Sequence, residues 1–185
     1  DSLGILVISC GILFAAVICL ILYCGAARRK RRDKTEAKME IFLNLGFFSL
    51  LVAVWTLVQC GFVQFLIPDG RTLYFVDYFS LFLFPVPFNF LLYDICKSRY
   101  HKVALVFSSL YLANMAVDVL LQCTGIIDMS RLLSVTHVIM VANAVYTVAI
   151  IFYEARKKEN DVAKKFQYPM YVAMGFGMAE MFLYY

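Results

Sequence analysis

Polar residues punctuate this chain at only five places. Between them lie apolar runs at 3–27, 41–67, 73–96, 103–123, 132–153 and 168–185. Crossing the hydrocarbon core as a helix takes ~20 apolar residues. Five runs meet that length, and the sixth stops at Tyr185 with no polar flank. Segments of ~10 residues with alternating polarity, the mark of a membrane β-barrel, do not occur. In lipid the backbone must satisfy its own hydrogen bonds, so the runs are helices. The pattern predicts an all-α, polytopic membrane helix bundle, a single transmembrane domain over 1–185. At 1.5 Å per residue the first run is ~37 Å long, so it tilts.

The joints fall at 28–40, 68–72, 97–102, 124–131 and 154–167. Pro68-Asp69-Gly70 reads as a turn, with Pro presetting φ and Gly accepting φ > 0. The last joint reads as a helix leaving the membrane, with Glu154 and Lys158 in the favourable i, i+4 order.

Charge then sets the orientation. Fifteen of the 17 Lys and Arg lie in joints one, three and five. The other two joints hold Arg71 and Arg131 alone. The positive-inside rule makes the basic side cytoplasmic and the N-terminus external. The run Arg28-Arg29-Lys30-Arg31-Arg32 is where a stop-transfer signal belongs, so topology is preferred over anionic-lipid or nucleic-acid binding. Tyr residues near both ends of the runs suit the two interfaces. The first run has its basic flank after it, unlike a cleaved signal peptide. Because the chain starts at Asp1, a preceding segment is expected. With six spans the C-terminus would be outside, so a cytoplasmic output calls for a seventh span.

Composition agrees and narrows the chemistry. Hydrophobic residues make up 63% and charged residues 16%, against ~45–50% and ~25% in soluble domains. That much apolar surface is incompatible with a water-soluble domain of this size or with disorder. The six cysteines form no C-x-x-C pair and no zinc spacing with His, and each reads as a small buried hydrophobe. No phosphate-binding, zinc-protease or nucleophile-elbow motif occurs. No metal, cofactor or nucleic-acid partner is expected, and no enzyme activity in this segment.

The informative residues are polar groups within the runs, since ionisable groups in the bilayer are costly. Asn114, Asp118 and Gln122 are four residues apart and share one helical face. The next run carries His137 with Thr136, Asn143 and Thr147 on a neighbouring stripe. Asp77 opens run three, and run two holds Gln59 and Gln64. By helical rise, Asp118 and His137 each lie ~7–8 Å below the outer boundary, with Asp77 at a similar depth. An eight-residue joint makes runs four and five neighbours, so an Asp118–His137 pair is allowed. Two readings stay open. These groups either tie helices together or reach the interface, or they line an outward pocket for a ligand or a pH-sensitive contact. Asp94, beside Lys97, reads as a boundary charge.

Run three also contains Phe84-Pro85-Val86-Pro87-Phe88-Asn89. Pro85 and Pro87 remove two helix donors and release the carbonyls of Leu81 and Leu83. A kink is expected there, a packing feature or a hinge, with Asn89 near the freed groups. Gly11 and Ala15 form a small-xxx-small pair in run one.

Several strings carry a resemblance. They are Asn44-Leu45-Gly46-Phe47-Phe48-Ser49-Leu50-Leu51 leading to Trp55, Leu83-Phe84-Pro85-Val86-Pro87-Phe88, and Leu121-Gln122-Cys123-Thr124-Gly125-Ile126-Ile127-Asp128 followed by Thr136-His137. Over about 40–185 the chain resembles the membrane sensor region that precedes GGDEF diguanylate cyclase domains in Gram-positive gut bacteria. That region is similar to bacterial seven-transmembrane receptors with diverse intracellular signalling modules. The resemblance implies an external segment before the first span, a seventh span, and a cytoplasmic cyclase controlling cyclic-di-GMP. No Gly-Gly-Asp/Glu-Glu-Phe string is present, so no GTP or metal residues carry over.

The resulting expectation is a sensory, signal-transducing domain in a bacterial cytoplasmic membrane. Its expected partners are the bilayer, a second copy of the chain and an extracellular ligand. A small transporter or channel component is the alternative, with the Pro-x-Pro break and the intramembrane Asp, His and Asn lining a path. Such proteins carry matched broken helices, and only run three is broken. A membrane-embedded enzyme would need a catalytic set that the Asp–His pair alone does not supply.

Overall fold

The structure, a computed structural model, describes residues 2–33, 39–96, 100–157 and 160–184. Lys97, Lys158, Asp1 and Tyr185 lie outside them, as do the side chains of residues 29–33 and of Glu180. The described residues form α1 (Ser2–Asp33), α2 (Met39–Val58), α3 (Gly61–Leu66), α4 (Gly70–Leu83), α5 (Pro85–Ile95), α6 (His101–Cys123), α7 (Met129–Lys157) and α8 (Asp161–Tyr184). No strand occurs among them, and the fold is all-α. Among the described residues, five segments are long and apolar enough to cross a membrane: Leu3–Arg28, Glu40–Val58, Gly70–Ile95, His101–Cys123 and Met129–Arg156. Leu3, Phe14, Ile21, Val138 and Phe176 are among many exposed large apolar side chains, the surface expected of helices solvated by lipid.

The chain forms two compact units, Asp1–Asp94 and Ile95–Tyr185. In the first, α1 packs along α2 and α2 along α4. Lipid chains are as apolar as Leu, so helices here associate by close packing and hydrogen bonds. Ser9, Ala16 and Ala53 are wholly buried. The Ser9 hydroxyl lies 2.9 Å from Thr56 Oγ1, joining α1 to α2. Near the other end of that seam Gly46 lets α2 approach Leu20. A Cβ at this position would sit 2.9 Å from Leu20 Cδ2. Gly11 and Ala15, the expected small-residue contact, are instead exposed, and a Cβ on Gly11 would meet nothing. The seam falls on the Ser9–Ala16 face. Asn44 donates to Asp94 Oδ2 at 2.7 Å, linking α2 to α5, so the boundary carboxylate has a helix partner.

The apolar run 41–67 is not one helix. α2 ends at Val58, and Cys60 turns extended at φ −82° and ψ 121°. α3 then makes a separate helix of 6 residues. Asp69, and not a positive-φ Gly70, organises the next turn. It caps α4 by accepting from Arg71 N at 3.2 Å and from Thr72 Oγ1 at 2.5 Å. Gly70 is the first helical residue. The Thr72 hydroxyl, then the Arg71 amide, hold the Asp69 carboxyl below the usual range.

In the second unit α6 and α7 pack together, as do α7 and α8. Gly125, at φ +67°, ends α6 in a Schellman motif. Ile126 N donates to Leu121 O at 3.1 Å and Gly125 N to Gln122 O at 3.1 Å. The expected joint at 154–167 is mostly helix. α7 runs on to Lys157, and α8 starts at Asp161. Asn160 makes the corner, its Oδ1 capping Val162 N and Ala163 N and its Nδ2 donating to Ile95 O at 2.9 Å. Glu154 is buried and accepts from Tyr100 OH at 3.1 Å.

Candidate functional site

In the first unit the break after α2 creates a cleft. The chain tightens with Cys60 N on Leu57 O at 3.0 Å, passes through α3, and returns over Ile67–Asp69 into α4. The space left holds about 410 Å³. Gln59, Gln64, Ile67, Leu73, Tyr74 and Asp77 are on its walls. Gly61 follows the extended Cys60, and no apolar periodicity marks the change. What fixes it is tertiary: Gln59 Nε2 donates to Asp77 Oδ1 at 2.9 Å, tying the residue just after α2 to the middle of α4.

The indole N–H of Trp55 is the other polar group that acts on the Asp77 carboxylate. Trp55 also packs on Phe84, with ring centroids 6.3 Å apart. Phe84 is the residue at which α4 ends and α5 begins. Phe48 closes on it from α2 at 5.9 Å, edge to face, and on Phe88 at 5.5 Å. Carboxylate, indole and phenyl ring therefore form a chain of contacts from the cleft to the helix break.

The break at Pro85 and Pro87 is a defect in hydrogen bonding. Phe84 keeps helical angles, φ −62° and ψ −28°. Its amide still reaches Ser80 O at 3.0 Å, and Phe88 N reaches Phe84 O at 3.4 Å. The two prolines supply no donors between them. Ser80 is buried and turns its hydroxyl back on Val76 O at 2.6 Å. Asn89 is buried one turn beyond the prolines.

The second unit holds the other expected residues, arranged differently from the depth argument. Asn114 Nδ2 donates to Asp118 Oδ2 at 2.9 Å within α6 and to Thr136 Oγ1 at 2.8 Å on α7. Asp118 is only 1% exposed. Its partner is thus Asn114, and the helices join through Thr136, one residue before His137. His137 is half-buried beside this junction. Gln122 does not share the cluster. Its Oε1 accepts from Met129 N at 2.8 Å and closes the start of α7. The stripe Thr136, Asn143 and Thr147 is buried as a whole, and Asn143 Nδ2 reaches Tyr111 OH at 3.4 Å. Among the described residues, no three His, Cys, Asp or Glu are placed to hold a metal ion.

The sequence missed Trp55 as a site residue, as well as the cleft itself. The available signal was one Trp four residues before Gln59 on a helix, which puts both on one face. No protein-family model, curated protein or solved structure matches this chain.

Proposed function

We propose that this membrane-embedded domain is the sensory part of a bacterial receptor in the cytoplasmic membrane. Its N-terminus faces outward, and it controls a cytoplasmic diguanylate cyclase. The observation that carries the reading is the position of Trp55. One side chain acts on the carboxylate of a cleft and packs on the ring at a proline-broken helix joint. A ligand in the cleft competes with Gln59 and Trp55 for Asp77. Movement of the indole then shifts Phe84, where the missing helix donors make bending cheap. Such a ligand changes the output only by its differential affinity for the two helix arrangements, with couplings of typically ~1–3 kcal/mol. The basic joints put the cleft on the outer side, and the strings in 40–185 supply the likeness to GGDEF-linked sensor regions. This domain has no catalytic activity of its own in this reading, and it acts as a homodimer through its helices or its output module.

The test is the reading frame downstream of Tyr185, together with cyclic-di-GMP in cells expressing all of it. A seventh span, a helix and a Gly-Gly-Asp/Glu-Glu-Phe segment are expected, with cyclic-di-GMP altered by Trp55→Phe. A stop codon, or further spans echoing the Pro-x-Pro break, would overturn the reading in favour of transport.

A further inference from the structure

We infer that the cleft around Asp77 binds a small amphipathic organic amine. The inference rests on the reading of the cleft as a sensory site and adds the chemistry of what enters it.

Among the described residues, Asp77 is the one charged residue lining the cleft, and it has no cationic partner. Its hydrogen-bond donor is the Gln59 amide, and the other group acting on it is the neutral Trp55 indole. A carboxylate offers about four lone-pair sites, so acceptor capacity remains for further N–H groups. Arg71, the basic residue of the neighbouring turn, acts on Asp69 instead. Gln59 spends an N–H on Asp77, which leaves its carbonyl oxygen as an additional acceptor. An ammonium group, with three donors and no acceptor, matches this set. An anion meets a like charge.

The remaining wall sets the body of the ligand. Ile67 and Leu73 are apolar, and the Tyr74 ring lies at the cleft, where a cation gains from an aromatic face. A volume of about 410 Å³ suits a small molecule and not a peptide chain, since ligand pockets run from ~300 Å³ upward. One ionic anchor with a few polar groups, here the Gln59 and Gln64 amides, among apolar side chains is the usual design of a small-molecule site.

The chain supplies its own reporter. Trp55 is the single Trp, and its indole acts on the Asp77 carboxylate. The experiment reconstitutes the 185-residue chain in lipid nanodiscs and follows Trp55 emission, excited at the red edge of its absorption. Three probes of one shape are titrated: phenethylamine, 2-phenylethanol and phenylacetate. The expected result is a saturable shift with the amine, and at least about tenfold weaker binding of the alcohol and the acid, as for loss of one charge-assisted contact. Asp77→Asn is expected to weaken the amine by a similar factor while leaving the alcohol unchanged. Equal binding of amine and alcohol, no saturable response to the amine, or wild-type amine affinity in Asp77→Asn would each overturn the inference. The comparison of probes on the wild-type chain needs no variant to fold. If the amine binds as expected but cyclic-di-GMP in cells ignores it, the sensory reading fails and the site stands.

Discussion

Asn114 ties two helices with one amide, and its removal has a calculable effect. Asn114→Leu deletes the bonds to Asp118 and Thr136. Interhelical hydrogen bonds in membranes contribute ~0.6 kcal/mol each on average. A larger effect is the carboxylate left behind. Asp118 is buried, and Asn114 is the side chain that donates to it. A buried acceptor stripped of its donor costs ~1–3 kcal/mol. Together the single substitution should destabilise the second unit by roughly 2–4 kcal/mol. Replacing both partners removes the orphan, because apolar groups of similar shape in place of both can be nearly neutral. Asn114→Leu/Asp118→Leu should therefore be more stable than Asn114→Leu alone. Reversible unfolding of the chain in mixed micelles by titration with a denaturing detergent measures this. The cycle is expected to depart from additivity by more than ~1 kcal/mol, well above the ~0.3–0.5 kcal/mol seen for independent sites. Additive effects, or a double variant weaker than the single one, would refute the linked arrangement of Asn114, Asp118 and Thr136.

Three further outcomes follow from local geometry. Gly46→Leu should loosen the seam between α1 and α2, lowering the Tm in detergent far more than Gly46→Ala, whose single methyl meets the mobile end of Leu20. Gly125→Ala should lower stability by about 1 kcal/mol in the same unfolding assay, because its φ of +67° penalises a Cβ. The Asp69 cap is a carboxylate whose pKa is lowered by folding. Its contribution is therefore complete above the usual carboxylate range and lost as pH falls through the folded value. Amide exchange in the first turn of α4 should be faster in Asp69→Ala than in wild type near neutral pH, and the two should converge only once pH has fallen below the usual carboxylate range and through the lowered folded value.

What could be read in advance depended on how far each feature is a one-dimensional property. Helix class follows from run length and the need to satisfy the backbone in lipid; the described residues are helical without strands, and five segments among them are long and apolar enough to cross a membrane. The last joint reads as helix in the sequence, and residues 154–157 and 161–167 are helical, in keeping with the helix propensity of Glu, Lys, Arg and Ala. The corner at Asn160 is tertiary, its amide bonded to Ile95 O. The break at Cys60 does not show in the hydropathy. The apolar run continues through Phe62, Val63 and Phe65, while Gln59 is pulled to Asp77 on another helix. Depth brought Asp118 and His137 to one level, but rise along an axis says nothing of azimuth. The facing positions turned out to be Asn114 and Thr136. Gln122 shares the face of Asn114 by spacing, yet the end of α6 gave it a capping task.

The central claim is that the cleft at Asp77 and the joint at Phe84 act as one device. The direct measurement is the cyclic-di-GMP level in cells expressing the complete reading frame, for Asp77→Asn, for Pro85→Ala/Pro87→Ala, and for the combination. The account predicts that each change alters the level and that the combination equals the proline variant alone, since a healed helix no longer carries the signal from the cleft. Levels that stay at wild type, or effects that simply add, would contradict it.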